Sequence, residues 1–398
     1  MVCVHVLWLK KKILVKIIFV MKTKILIVAD VLGEENNGTT ITIKRLIDGL
    51  KKRDFDVYVL SPLSENKKEG YYSLKKRNFF IFNNYVQKNG VCLGVPNRTL
   101  LEELVKKVDI VHIELPFKTG KMAMQICKQQ NKPFTAGFHC PAEAVTVHFG
   151  LKNVKFANDA IYKYHYKKFY KYCNLVHCPS KFYADILTEK GYTNNLKVIS
   201  NGVSDIFYKA YPKHKSNLFK IITVGRLSIE KRQDLLLKAV ANSKYNKNIQ
   251  VIIAGDGPQK HKLQKLGKSL ANPPIIKYIP SEELARTLHD CDLYVHCSDV
   301  EVEGTACLEA LASGLVPIIS DSPKSATKEF ALSNHNLFEN GSAKSLEKQI
   351  GFFVENPNQL KTYKQIYKDY ARGFHVDNCI EQMSRMFYQA IKEHACNK

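Results

Sequence analysis

Two glutamates, Glu301 and Glu309, flank seven residues in the segment EVEGTACLEALASG. The alternating segment Asp292–Ser298 precedes them and the apolar run LVPIIS follows, so the pattern predicts strand, loop, helix, strand. A carboxylate accepts paired hydrogen bonds from vicinal hydroxyls, such as those of a ribose or a hexose. The spacing therefore suggests that both glutamates bind one polyhydroxylated molecule. The alternative is an ordinary amphipathic helix that carries two solvated glutamates.

The start of the predicted helix is a candidate anion site. Gly304, Thr305 and Ala306 would open the helix at the carboxyl end of a parallel sheet. The first N–H groups of a helix have no partner within it, and the helix dipole favours negative charge there. We therefore expect an anionic group of the ligand to bind at this end of the helix.

A second loop supplies cations. The predicted strand Phe219–Val224 ends at Gly225, and Arg226 and Lys231 follow it in the segment GRLSIEK. Two fixed cations can bind a nucleotide diphosphate and stabilise the charge that develops on it as it leaves. Isolated basic residues in a loop are otherwise most often surface charges.

Several segments in one order resemble the retaining family 4 glycosyltransferases of the GT-B fold. GRLSIEK, then a helix, a strand and GDGP, matches the family motif GRLxxEK, and the two glutamates match its Glu-x7-Glu signature. SNGVSDIFY is similar to PNGVDxxxF, which ends the first domain of such enzymes. The resemblance extends from about Lys24 to about Ala390. It implies an α/β protein with two Rossmann-like domains whose parallel sheets face a central cleft.

The resemblance also implies roles for the donor-side residues. Arg226 and Lys231 would bind the diphosphate, Glu309 the ribose and Glu301 the hydroxyls of the transferred sugar. The backbone of Gly225, Gly304, Thr305 and Ala306 would complete the anion site, and the base would bind near Ile279. These assignments predict a nucleotide-diphosphate sugar as donor, with no cofactor and no essential metal.

The first half of the chain would face the donor from the other domain. His139, in FHCP, stands where the family places a histidine that contacts the transferred sugar. In DIVHIELPF, Glu114 replaces a histidine that is common in the family. Gly38 and Thr39 match its glycine-containing loop loosely. Because the opening strand, helix and strand lack GxGxxG, they do not predict NAD or FAD binding.

These motifs divide the chain into four parts. Residues 1–20 are basic and apolar, and we interpret them as an over-extended translation start, with a peripheral membrane anchor as the alternative. Residues 21–212 would form the acceptor-binding domain and residues 213–374 the nucleotide-sugar domain. Residues 375–398 would form a helix that crosses back to the first domain.

The net charge of +23 is concentrated in one half of the chain. Residues 1–213 contain 35 Lys and Arg against 17 Asp and Glu. Within them, the predicted helix around IYKYHYKKFYKY has two stripes at helical spacing. They are formed by Tyr162, Tyr166 and Tyr170 and by Lys163, Lys167 and Lys171. We expect this helix to contact an anionic membrane; the alternative is that the tyrosines pack inward and the lysines are solvated.

Together these features predict a glycosyltransferase at the cytoplasmic face of the plasma membrane. The motif form and the charge asymmetry are similar to bacterial enzymes that glucosylate or galactosylate diacylglycerol. The alternatives are a transferase that extends lipopolysaccharide, capsule or teichoic acid and, more distantly, a basic nucleic-acid-binding protein. Eleven scattered cysteines without a CxxC pair favour reduced thiols in a cytosol.

Overall fold

A computed structural model describes residues 22–30, 32, 38–62, 69–78, 92–151 and 153–396 of the protein. Residues 1–20, for which the sequence analysis gave two interpretations, lie outside these ranges. In the described part, thirteen strands form two parallel sheets. The predicted α/β architecture with two Rossmann-like domains is therefore confirmed.

Seven strands form the first sheet of the described chain, in the order β3-β2-β1-β4-β5-β6-β7. They are β1 (Thr23–Val28), β2 (Phe55–Ser61), β3 (Tyr71–Ser73), β4 (Ile110–Ile113), β5 (Phe134–Gly137), β6 (Leu175–Cys178) and β7 (Asn195–Val198). The central strand β1 places Ile25 opposite Val57 of β2 and Ile110 of β4. It is buried on both faces, which explains its continuous apolar run.

Six strands form the second sheet, in the order β10-β9-β8-β11-β12-β13. They are β8 (Phe219–Val224), β9 (Ile249–Ala254), β10 (Ile275–Lys277), β11 (Leu293–His296), β12 (Val316–Ser320) and β13 (Leu337–Phe338). The short strands β3 and β13 escaped prediction because two or three residues are too few for a periodic signal.

Helices connect the strands and cover both sheets. In the first half they are α1 (Gly38–Lys51), α2 (Arg98–Lys107), α3 (Lys118–Gln129), α4 (Ala142–Thr146), α5 (Lys155–Lys168) and α6 (Lys181–Glu189). In the second half they are α7 (Gln233–Asn242), α8 (Lys260–Gly267), α9 (Ser281–Asp290), α10 (Thr305–Ala312), α11 (Ala343–Glu355), α12 (Pro357–Ala371) and α13 (Val376–Cys396). None of these helices has the length and apolar character needed to span a bilayer.

The last helix, α13, packs against the first sheet rather than the second. Its Phe387 ring lies 6.2 Å from the ring of Phe55 in β2, and Ile380 lies over Gly49 of α1. A Cβ on Gly49 would approach the Ile380 side chain to 2.6 Å. The chain thus returns to its first half at the end, and the apolar face of α13 completes a core there.

Candidate active site

Two loops pack closely at the carboxyl edge of the second sheet. β8 and β9 are hydrogen-bonded neighbours, so the loops that follow Val224 and Ala254 lie side by side. The Leu227 N–H donates to the Asp256 carbonyl at 2.8 Å. Gly257 has a φ of +152°, and a Cβ there would lie 2.6 Å from the Leu227 oxygen. Only glycine permits this approach, so GDGP supports the loop that carries Arg226 and Lys231.

Lys231 and Glu301 form an ion pair at this edge. His296 at the end of β11 places Nε2 3.1 Å from the same Glu301 oxygen, and its Nδ1 lies 2.9 Å from the Tyr294 hydroxyl. Burial alone would raise the pKa of Glu301, but Lys231 and His296 hold it far below its ordinary value. Glu301 is therefore an ionised carboxylate that is held in place by two neighbours.

Arg226 is fixed by a buried carboxylate. Its Nη2 donates to Glu230 Oε1 at 2.7 Å, and the Ser228 hydroxyl donates to the same oxygen. Burial raises the pKa of Glu230, but Arg226 and these hydrogen bonds bring it below its ordinary value. The structure thus brings the predicted cations Arg226 and Lys231 to one loop, each with a carboxylate partner.

Helix α10 begins at Thr305, directly after Gly304, as the sequence predicts. Gly304 has a φ of +92°, in the left-handed region, and a Cβ there would lie 2.4 Å from Thr327 Cγ2. Glycine is required for both reasons. The turn directs the first N–H groups of α10, those of Thr305 and Ala306, toward the carboxyl edge of the sheet, where an anion is favoured.

Glu309, one turn further along α10, is paired with a residue from the other half of the chain. Arg45 of α1 donates through Nη2 to Glu309 Oε1, and through Nη1 to the Gly202 carbonyl at 3.0 Å. Both side chains are largely buried. Glu309 therefore lies at the interface between the two domains, where it contacts Arg45 of α1.

On the first-domain side, His139 is held by Glu114. His139 Nε2 lies 3.0 Å from Glu114 Oε2, and His112 Nε2 lies 3.7 Å from Glu114 Oε1. Burial raises the pKa of Glu114, but His112 and His139 lower it to about 2, so Glu114 is ionised. Burial also lowers the pKa of His112 to about 4. A carboxylate in place of the family's second histidine thus orients the His139 ring.

Glu303 connects the second domain to the first. It lies in the loop of the second domain, and its Oε2 accepts from Asn201 Nδ2 at 2.6 Å and from the Asn201 backbone N–H at 3.2 Å. Burial raises the pKa of Glu303 to about 7, against the lowering effects of Ser200, Asn201 and the charge of His139. Asn201 and His139 line the same small cavity, so the loop that carries Glu301 and Glu303 lies near His139.

The remaining predicted donor and loop residues have different surroundings. Gly38 and Thr39 begin α1, whose Thr42 and Ile43 line a small cavity with Glu114 and His139. Ile279 is buried in the core of the second domain. Its side chain is therefore not free to contact a nucleotide base.

The expectation that the tyrosines around α5 contact a membrane is wrong. Tyr162 and Tyr170 are 3% and 0% exposed, and their hydroxyls donate to Glu143 and to the Gly137 carbonyl. Tyr166 is partly buried against Tyr192. The tyrosine stripe is the face that packs into the first domain. The lysine stripe, formed by Lys163, Lys167 and Lys171, is exposed.

Three residues of the site were missed by the sequence analysis: Arg45, Glu303 and His296. Glu303 and His296 belong to the segments already singled out, and for Glu303 the available signal was an acidic residue directly before Gly304. Arg45 had no signal, because it contacts Glu309 across 264 positions of sequence. Only the fold brings these two residues together.

Comparison with known proteins matches both halves of the chain. The family model described as "Glycosyltransferase Family 4" matches residues 36–205, and that described as "Glycosyl transferases group 1" matches residues 206–374. The two matches are adjacent and contain every residue of the site described above. The predicted glycosyltransferase activity is therefore confirmed at the level of the enzyme class.

Individual relatives agree with this assignment. The alpha-monoglucosyldiacylglycerol synthase of Acholeplasma laidlawii is 26% identical over 71% of this chain and 76% of its own length. The GDP-mannose-dependent alpha-mannosyltransferase of Corynebacterium glutamicum is 26% identical over 74% and 71%. A glycosyltransferase structure from Rickettsia africae has a TM-score of 0.72 at 18% identity and covers 93% of this chain and 99% of its own. The chain belongs to the family 4 glycosyltransferases of the GT-B fold.

Proposed function

We propose that this enzyme transfers a hexosyl group, glucose or galactose, from a nucleotide-diphosphate sugar to a membrane lipid such as diacylglycerol. One observation carries the proposal. The carboxylates Glu301 and Glu309 and the cations Arg226 and Lys231 all belong to the second domain, and Glu303 of the same loop contacts Asn201, which lines a small cavity with His139 of the first domain. The similarity to a monoglucosyldiacylglycerol synthase supports the lipid acceptor.

In this proposal, donor binding exchanges internal ion pairs for contacts with the ligand. Lys231 leaves Glu301 for the diphosphate, which frees the Glu301 carboxylate for the hydroxyls of the sugar. Arg45 leaves Glu309, which then accepts hydrogen bonds from the ribose. Lys231 and Glu301 keep a partner before and after binding, and Arg45 keeps its hydrogen bond to the Gly202 carbonyl, so the desolvation cost is limited. UDP is the first nucleotide to test.

Departure of the nucleotide diphosphate would be assisted by positive charge that the protein itself supplies. Arg226, Lys231 and the N–H groups of Thr305 and Ala306 would stabilise the leaving phosphate without an essential metal. His139 would contact the transferred sugar from the first domain, so the site would be complete only when the domains are closed. The acceptor would attack from the face that the diphosphate leaves, with retention of configuration.

For the membrane contact we propose a different surface from the tyrosine stripe. Phe149 and Phe156 are 74% and 83% exposed, and Leu151 and Val154 between them are also exposed. Four exposed apolar side chains within eight residues are unusual for a soluble surface. The exposed lysines of α5 follow directly. Apolar insertion beside basic side chains suits an anionic bilayer, at the inner face of the plasma membrane.

The test is sugar transfer from radiolabelled UDP-, GDP- and ADP-sugars into diacylglycerol in mixed anionic liposomes, with EDTA present, followed by lipid extraction. Label in the lipid phase would establish the donor and the acceptor class together. Label only in the envelope glycans of a crude extract would favour a glycan-extending transferase. Transfer that requires added divalent cations would contradict the metal-independent part of the proposal.

A further inference from the structure

A basic cleft on the second domain belongs to neither the donor site nor the proposed membrane surface. It has a volume of about 660 Å³ and is lined by the linker before β8, by the ends of α9 and α10, and by α12. Two lining residues lie just before strands of the sheet: Leu315 directly precedes β12, and Cys291 lies two residues before the start of β11. The cleft therefore lies at the amino edge of the sheet, opposite the carboxyl edge that carries Arg226 and Lys231.

Three lysines of α12 line this cleft. Lys361, Lys364 and Lys368 are spaced by three and four residues, so they lie on one face of the helix. None of the three has an ion-pair partner among the residues that the structure describes. Lys213 of the linker faces the same space, but it is already paired with Asp292 at 2.6 Å.

Lys364 is partly buried, and its surroundings disfavour the charged form of its side chain. Burial lowers the pKa of Lys364, and the positive charge of Lys213 lowers it further, while Asp292 opposes this only in part. The other acid close by, Asp290, is occupied by Lys220 and His214. A desolvated lysine that has no ion-pair partner is costly, and a bound anion would remove that cost.

His289 adds a second, independent observation. It lines the cleft, and its Nδ1 is buried without a hydrogen-bond partner among the described residues. Burial lowers the pKa of His289, with Lys368, Lys364 and Lys213 adding to the effect. Buried polar atoms normally have partners, so an unpaired nitrogen of a residue that lines the cleft leaves a position for a ligand atom.

We propose that this cleft binds a ligand with two or more phosphate groups, through Lys361, Lys364, Lys368 and His289. Lysine is a common phosphate ligand, and several ammonium groups around one open cleft match several negative charges. The volume is within the range of small-molecule sites. The phosphates could belong to a soluble compound or to neighbouring lipid headgroups. This proposal does not depend on the donor or acceptor of the transfer reaction.

Lysine acylation followed by mass spectrometry tests the site on the full chain. Tripolyphosphate and, separately, phosphatidylcholine vesicles containing phosphatidylglycerol serve as probes. We expect either probe to slow acylation of Lys361, Lys364 and Lys368 by about fivefold or more, as expected for charge-assisted contacts. The exposed lysines Lys344 and Lys348 of α11 are internal controls that should be unaffected.

A pair of double variants makes the test specific. Lys364→Gln with Lys368→Gln should weaken tripolyphosphate binding at this site by about tenfold or more, because two charge-assisted contacts are lost. Lys344→Gln with Lys348→Gln removes the same charge elsewhere and should leave binding unchanged. Equal weakening in both double variants would show that only the total positive charge of the protein matters, and it would overturn the proposal.

The acylation experiment also distinguishes this site from the donor site, because the acylation of Lys231 is measured at the same time. Protection of the three α12 lysines by tripolyphosphate indicates a soluble ligand, and protection by vesicles alone indicates lipid headgroups. Protection of Lys231 without protection of the α12 lysines, by either probe, would overturn the proposal and leave the transfer reaction unaffected.

Discussion

At the scale of single residues, the site contains carboxylates that are each held by a basic neighbour. Glu301 is paired with Lys231, Glu309 with Arg45 and Glu114 with His139. For Glu301 and Glu114 the basic neighbours lower the pKa and keep the buried carboxylate charged. It also fixes their positions before substrate arrives, which lowers the cost of ordering them later.

Replacing Glu114 with Gln tests its positioning role. The amide cannot hold His139 as an ionised carboxylate does, and a shift of ~1 Å at a reacting group can cost on the order of 100-fold in rate. We expect kcat to fall by about tenfold or more with the KM for donor nearly unchanged. Glu102→Gln, on the exposed face of α2, is the control. A changed KM with an unchanged kcat would contradict this role.

The raised pKa of Glu303 predicts a pH effect on stability. Its pKa is about 7 in the folded chain against an ordinary value of 4.5, so the folded state binds the proton more tightly. The protonated Glu303 adds to the free energy of unfolding, by about 3 kcal/mol at most. This contribution is fully present below about pH 4.5 and is lost as the pH rises through about 7. Glu303→Gln carries no charge at any pH.

Calorimetric melting of wild type and Glu303→Gln measures this effect. We expect the variant to melt above the wild type at about pH 8 and to lose most of this advantage at about pH 5. The Asn201 contact is retained in part, since an amide oxygen also accepts hydrogen bonds. A melting difference that stays constant across this pH range would show that Glu303 does not titrate there.

At the scale of elements, the site depends on short helix α10 and on the turn that begins it. Gly304 and Gly314, at its two ends, both have positive φ, +92° and +81°. Their surroundings differ, because a Cβ on Gly304 would meet Thr327 at 2.4 Å whereas nothing lies within 4 Å at Gly314. The two glycines therefore form a matched pair for substitution.

Gly314→Ala should cost only backbone strain, on the order of 1 kcal/mol. Gly304→Ala should cost that plus the displacement of Thr327 or of the helix start, and it should raise the KM for donor, because the N–H groups of Thr305 and Ala306 would move. Thermal melting and donor titration measure the two effects. Equal losses in both variants would mean that the helix start is not positioned by this contact.

Local patterns explain why some elements could be predicted and others could not. β8 was predicted with its observed ends, since four of its six residues are apolar and glycine follows, which gives a clear signal. Helical spacing correctly placed Tyr162 and Tyr166 on one face of α5, whereas Tyr170 follows in a separate turn because the helix ends at Lys168. Spacing cannot tell whether that face is buried. The core around Phe138 decides it, and this core forms only when β5, α5 and α6 pack together.

At the scale of the whole molecule, the two domains contact each other through the elements of the site. Besides Arg45 and Glu309, the Ser180 hydroxyl donates to the Val302 carbonyl at 2.6 Å and the Tyr183 hydroxyl to the Lys324 carbonyl at 3.0 Å. These contacts hold the Glu301 loop against the first domain. The first domain also carries most of the positive charge. Contact with the Glu301 loop and attraction to an anionic membrane therefore involve the same half of the chain.

Membrane attachment should depend on the exposed apolar segment and on salt. Phe149→Ser with Phe156→Ser is expected to reduce flotation with anionic liposomes by about tenfold or more, since two large apolar side chains no longer leave water. Leu332→Ser, an exposed apolar residue of the second domain, is the control. Wild-type binding should fall at high ionic strength as the lysine contribution is screened. Undiminished flotation of the double variant would exclude this surface.

The most direct test of the central claim is the rate of sugar transfer by Glu309→Gln, compared with wild type and with the exposed control Glu339→Gln. If Glu309 binds the donor ribose, transfer should fall by about a hundredfold, as expected for the loss of two hydrogen bonds to a charged acceptor. The melting temperature should stay close to that of wild type, since the amide can still accept from Arg45. Full activity in Glu309→Gln would contradict the assignment of the site around Glu301 and Glu309 as the donor site.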